Sequence, residues 1–144
     1  MVILTQSDRP APLTLADSSA WIEFLRNTGS LVCLRLHDLL RAENVATCDA
    51  VRMEVLAGAR DDLQLATVSR ALDQATVIPM QSTDYDTAAA LYRRCRRQGE
   101  TVRKLLDCLI AAVAIRAGIP VLHNDRDFDV LARHTELQTD RPES

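Results

Sequence analysis

Leu105-Leu106-Asp107-Cys108-Leu109-Ile110-Ala111-Ala112-Val113-Ala114-Ile115 is a run in which Asp107 is the only charged residue. A helix that is apolar nearly all round is buried. An ionised carboxylate is almost never left inside without a partner or a metal. Two readings of Asp107 therefore stand side by side. Arg103, one turn earlier, offers an i,i+4 ion pair, or the carboxylate is a metal ligand in a functional site. The helix is expected from about Thr101 to Ala117, with Gly118 as its C-cap and Pro120 just beyond.

Downstream, Ile119 to Leu122 is β-like, and Asp127 begins a last helix through Val130 and Leu131. Upstream, Leu13-Thr14-Leu15-Ala16 reads as a short buried strand ending at Asp17. Trp21, Ile22 and Leu25 then recur at helical spacing, and a second helix follows through Leu31, Leu34, Leu36, Leu39 and Leu40. Val45 to Cys48 is a strand candidate, and Asp49 is placed to cap a helix through Val51, Val55 and Leu56 that stops at Gly58. Asp61 to Ala75 is amphipathic, Val77-Ile78-Pro79 is strand-like, and Thr83 or Asp84 opens a long helix closed by Gly99. Strands alternating with helices predict an α/β fold, a three-layer domain whose central, mostly parallel sheet is flanked by helices. In such sheets ligands bind beyond the carboxyl ends of the strands, where Asp17 and Asn124-Asp125 fall.

The 144 residues suit one domain, read as 13–144 behind a flexible N-terminal extension, 1–12. No apolar run reaches the roughly 18 residues of a membrane span, and no signal-peptide core is visible, so a cytoplasmic protein is expected. Cys33, Cys48, Cys95 and Cys108 are too scattered for a zinc site or a disulfide framework, and buried free thiols are expected. The net charge of −3 excludes a bulk basic nucleic-acid binder. Even so, Arg93, Arg94, Arg96, Arg97, Arg103 and the sole lysine, Lys104, crowd one segment. They are either solvated helix-end charges or a phosphate-holding cluster.

Three further carboxylate positions join Asp107. In Ala16-Asp17-Ser18-Ser19, either Asp17 or Ser18 simply caps the helix carrying Trp21, or Asp17 binds metal with Ser19 fixing its rotamer. Glu54 sits among Met53, Val55 and Leu56 on a largely apolar turn. His123-Asn124-Asp125-Arg126-Asp127-Phe128-Asp129 alternates acids like a calcium loop, but Val130 stands where that loop needs glycine, and a strand precedes it where a helix is required. Asp127 is left as a helix cap or, with Asp125, as a carboxylate at the strand edge, and His123 as a local hydrogen-bonding residue. Clustered carboxylates repel unless a cation neutralises them. Hard oxygen ligands without cysteine or paired histidine favour magnesium, or manganese. Sites of that kind cleave phosphodiesters.

The ordered set Asp17-Ser18-Ser19-Ala20-Trp21, Met53-Glu54-Val55-Leu56-Ala57-Gly58, Asp107-Cys108-Leu109-Ile110-Ala111-Ala112 and Asn124-Asp125-Arg126-Asp127-Phe128 resembles the PIN-domain family, and within it the VapC-like toxins. The resemblance spans Leu13 to about Arg133. It implies that Asp17, Glu54, Asp107 and one or both of Asp125 and Asp127 form a catalytic acidic site, with Asp17 and Asp107 as magnesium ligands. Ser19 and Asn124 support them. Arg94, Arg97 and Arg103 are the residues assigned to substrate. The implied activity is magnesium-dependent endoribonuclease cleavage of RNA, often tRNA or rRNA, by a homodimeric toxin restrained by a VapB-like antitoxin. The sequence departs from the family pattern in its longer N-terminal lead and in Ser18, where threonine is commoner. The main rival is the same fold without catalysis, a protein- or RNA-binding module. A receiver domain wants a lysine at a late strand end, a haloacid-dehalogenase phosphatase wants an aspartate at Ser19, and a flap-type nuclease needs more chain.

Overall fold

Strands of three residues or fewer set the frame, and each is apolar where it is central. In the computed structural model, which describes residues 12–142, β1 (Thr14–Ala16), β2 (Val45–Thr47), β3 (Thr76–Val77), β4 (Val121–Leu122) and β5 (Thr139–Asp140) form one sheet. Its order is β3-β2-β1-β4-β5 and every pairing is parallel. Leu15, Ala16, Val45, Ala46, Val121 and Leu122 are all buried. Consecutive apolar residues bury both faces of a strand, which a parallel sheet covered on both sides requires.

Seven helices among the described residues supply that cover: α1 (Ser18–Arg26), α2 (Leu31–Arg41), α3 (Asp49–Ala57), α4 (Asp62–Leu72), α5 (Ser82–Arg97), α6 (Leu105–Ala117) and α7 (Arg126–His134). The connections β1→β2→β3 step outward one way and β4→β5 the other. Right-handed crossovers then put α1–α4 on one face and α5–α7 on the other. The packing follows suit, with α1 against α2, α3 and α4, and α5, α6 and α7 against one another. The direction of winding reverses between β1 and β4, and the carboxyl ends of those neighbours open the crevice that holds the site.

Several expected boundaries move, each for a visible reason. α6 begins at Leu105 and not near Thr101, because the N–H groups of Arg103 and Lys104 donate to the Asp127 carboxylate (3.1 and 3.0 Å) and are held out of a helix. Asp49 does not cap α3: Cys48 holds the N-cap position without a side-chain bond, and Asp49 is the first helical residue. Asp125, not Asp127, caps α7 by accepting the Asp127 N–H (2.9 Å). α5 starts one residue early, with Gln81 and Asp84 forming a capping box. β3 stops before Pro79, which has no N–H for a ladder. The polar edge strand β5 has no counterpart in the sequence reading. Gly118 closes α6 at φ +70°, the left-handed conformation expected of a C-cap glycine. All four cysteines are free and buried. Residues 1–11 of the proposed extension lie outside the described residues. No helix of the described residues is long and apolar enough to cross a membrane.

Candidate active site

Asp17 follows β1 directly and its chain continues the ladder, its N–H donating to the Leu122 carbonyl of β4 (2.9 Å). Its carboxylate is fully buried. Oδ2 accepts the Ser19 N–H (3.1 Å) and the Ser19 hydroxyl (2.9 Å), so Asp17 is both the N-cap of α1 and part of the site. Ser19 Oγ in turn accepts the Asn124 N–H (2.8 Å), and the Asn124 amide donates to Glu23 (2.9 Å). Ser19 and Asn124 thus tie the end of β1 to the end of β4 and leave Asp17 Oδ1 without a partner.

Asp107 lies in the first turn of α6, fully buried, with neither oxygen hydrogen-bonded among the described residues. The expected pair with Arg103 is absent. Arg103 turns instead to Asp127 (Nε, 3.4 Å) and Asp125 (3.6 Å), and Lys104 approaches Asp107 at 3.8 Å. Lys104 Nζ also pairs with Asp125 Oδ2 at 3.1 Å. Glu54 comes from α3, half-buried, and one of its oxygens accepts the Ser18 hydroxyl.

Ligand-capable oxygens of Asp17, Glu54 and Asp107 lie within 4.8 Å of one another, and so do those of Asp107, Asp125 and Asp127. Asp107 is common to both groups. The crowding has an electrostatic consequence. Burial pushes the Asp107 carboxyl up to about 9, with Asp17 adding to the rise, Lys104 opposing it, and Asp127 and Asp125 adding again. Burial likewise lifts Asp17 to about 6 against the hydrogen bonds of Ser19 and Ser18, with Glu54 contributing. Asp127 goes the other way. Burial works against its charge, but the Arg103 N–H, the Lys104 N–H and the Arg103 guanidinium hold it below the usual carboxylate range. Both Asp127 oxygens are occupied by backbone donors, so its first task is to anchor the start of α6.

His123 is a structural residue. It is buried, its Nδ1 accepts the Asp125 N–H (3.2 Å), and burial lowers its pKa. Of the arginines assigned to substrate, only Arg103 is brought to the carboxylates. Arg94 pairs with Glu136 (2.8 Å), beyond the C-terminal end of α7, and Arg97 ends α5 with no ion-pair partner among the described residues. Lys104 is the site residue that sequence reasoning grouped with these arginines and did not single out. Its position three residues before Asp107 is the signal that carries it.

Three buried acceptor atoms left orphaned on two carboxylates are not what a finished core tolerates. An all-oxygen donor set suits a hard divalent cation, and such a cation satisfies those atoms and relieves the repulsion.

Residues 14–134 match the PIN-domain family. The chain is 44% identical over 129 residues to ribonuclease VapC11 of Mycobacterium tuberculosis and to a VapC ribonuclease of Mycobacterium bovis. Each alignment takes in 88% of this chain and 96% of the relative. Among solved structures, the fold is similar to VapBC2 of Rickettsia felis bound to a DNA fragment from its promoter, with TM-score 0.73, 15% identity, and 90% of this chain and 98% of that one covered. It is also similar to VapC20 of Mycobacterium tuberculosis, a toxin that cleaves the sarcin–ricin loop, with TM-score 0.62, 17% identity, and 86% and 98% covered.

Proposed function

From the premise that this chain belongs to the PIN-domain family, alongside VapC ribonucleases, we propose that it is a metal-dependent endoribonuclease and the toxin of a toxin–antitoxin pair. The observation that carries the reading is the buried carboxylate pair Asp17–Asp107 at the β1/β4 crevice, where Asp17 Oδ1 and both Asp107 oxygens have no hydrogen-bond partner among the described residues. The ion we assign is magnesium, with manganese as the alternative of like chemistry. Asp17 and Asp107 would hold it, helped by Glu54 and Asp125. Such an ion supplies positive charge for the phosphate oxygens and Lewis acidity for water activation.

The protein's own groups do the rest. Ser19 and Asn124 hold Asp17 in one rotamer. Asp127 sets where α6 begins and hence where Asp107 points. Glu54, steadied by Ser18, is the group we assign to accept the proton of the attacking water as the phosphodiester bond breaks. Lys104 balances charge beside Asp125 and is placed to meet a phosphate oxygen. A binding module without catalysis would have no need to keep five carboxylates at one strand edge against their repulsion.

The substrate class is RNA, with tRNA or rRNA as the targets proposed, and the restraining partner is a VapB-like antitoxin. An acidic crevice attracts a cation, so that antitoxin should present arginine to Asp17 and Asp107, the side chain best shaped for bidentate carboxylate pairing. The reading is tested by RNA cleavage with Asp17→Asn, Asp107→Asn and a chelator. Each should abolish cleavage while circular dichroism stays native. Full cleavage by Asp107→Asn in chelator would assign the activity elsewhere.

A further inference from the structure

Beside the carboxylates lies a cavity of about 190 Å³ whose walls come from α1, α3 and the start of α4. It shares Ser18, Glu54 and Lys104 with the acidic site, so whatever fills it adjoins the reacting phosphate. Ile22, Leu25 and Val55 give it apolar walls, while Arg26, Arg60 and Gln64 line it with polar groups. Neither Arg26 nor Arg60 has an ion-pair partner among the described residues, although eight other arginines do. Gly58 completes the lining with a bare Cα.

Resting on the ribonuclease reading above, we propose that this cavity is a nucleotide subsite, seating the RNA base that adjoins the scissile phosphate. The size is that of a small planar group, since drug-sized pockets run roughly 300–1,000 Å³. Apolar walls suit the faces of a base, and Arg and Gln suit its polar edge and its phosphate. The charge decides between an RNA strand and a peptide. Lys104 is held by Asp125 and Asp107, but Arg26 and Arg60 outnumber Glu54 in the lining, so this flank is net cationic, which favours an anionic strand and disfavours an arginine-bearing tail. The subsite also answers how an acidic crevice receives RNA when Arg94 is engaged with Glu136.

Gly58 offers a steric test. Its φ of −85° is open to any residue, and an added Cβ would meet nothing nearer than 3.6 Å. A leucine there should fill the cavity without strain. The probe is a 5′-labelled RNA oligonucleotide, selected from a random library, that the wild type cuts at one site. Single abasic substitutions are then walked across that site. For the wild type, one abasic position next to the cut should lower kcat/KM roughly ten-fold. In Gly58→Leu the intact RNA should be cut roughly ten-fold more slowly, and the abasic RNA no more slowly than the intact one. Arg26→Ala and Arg60→Ala, both exposed and safe for the fold, should raise KM more than they lower kcat. An abasic effect that persists undiminished in Gly58→Leu and in both arginine variants overturns the subsite. So does loss of antitoxin-peptide binding in those variants with RNA cleavage unchanged, which would make the cavity a protein site. A wild type that cuts no RNA sinks the ribonuclease reading, and this inference with it.

Discussion

Asp107→Asn should inactivate the protein and, in the absence of metal, make it more stable. The folded protein keeps a proton on Asp107 up to about pH 9, whereas an unfolded chain gives it up near the ordinary value of 3.8. For an acid whose pKa rises on folding, the folded state binds more protons across that window, so stability falls as pH rises through it. Each pH unit is about 1.4 kcal/mol, which places an upper bound on the order of 4 kcal/mol on the penalty at pH 7. Asparagine has no charge to desolvate, but it adds an amide that must itself be satisfied. We expect a net gain of about 2 kcal/mol at pH 7, a rise in Tm of roughly 4–8 °C. The assay is thermal and urea unfolding of both proteins in chelator at pH 5, 7 and 8.5. The gap should be small at pH 5 and widen upward, while Asp17, present in both proteins, gives each curve a shared slope below about pH 6 that cancels from the gap. Added magnesium should stabilise the wild type and barely move the variant. A variant less stable than wild type at pH 8.5 in chelator, or a gap independent of pH, would refute the reasoning.

Asp127→Ala removes the acceptor for two backbone N–H groups and should destabilise the fold by roughly 2–3 kcal/mol in urea unfolding, with cleavage lost as α6 shifts. Asp84→Ala removes the carboxylate that binds the Arg116 guanidinium (2.8 and 2.9 Å) and accepts the Gln81 N–H (2.8 Å); with Arg116 exposed to water it should cost roughly 1–2 kcal/mol while RNA cleavage by the folded fraction is unchanged. Arg97→Ala, measured for RNA binding in an Asp107→Asn background, should weaken affinity across sequences and lower the salt slope by roughly 0.7 for a lost phosphate contact, whereas Arg94→Ala, whose guanidinium Glu136 holds, should change both less. Unchanged affinity and slope would leave Arg94 as the partner of Glu136 alone and put the RNA path along Arg26 and Arg60.

What the sequence settled by itself is whatever depends on near neighbours and on burial pattern. Apolar runs at Leu13–Ala16, Val45–Cys48 and Ile119–Leu122 between helical periodicities meant a parallel sheet, and the sheet is parallel throughout. A lone carboxylate inside Leu105–Ile115 meant a buried acid, and Asp107 is fully buried. The gathering of Asp17, Glu54, Asp107 and Asp125 was implied by the family resemblance, while strand ends and burial pattern by themselves indicated only Asp17 and Asp125 at the sheet edge and Asp107 in the core. Left to the tertiary structure were the partners of those acids. Arg103 stands one turn from Asp107 in sequence, yet it turns to Asp127, 24 residues on, whose oxygens accept the Arg103 and Lys104 N–H groups just ahead of α6. Lys104 then fills the position beside Asp107 and Asp125. β5 escaped notice because Thr139 and Asp140 have no apolar pattern, and their strand exists only because β4 offers an open edge. The cavity at Gly58 is likewise a joint product of α1, α3 and α4. Local order follows from a few adjacent side chains, whereas the choice among several possible charge partners is made by which elements the closed sheet brings within reach.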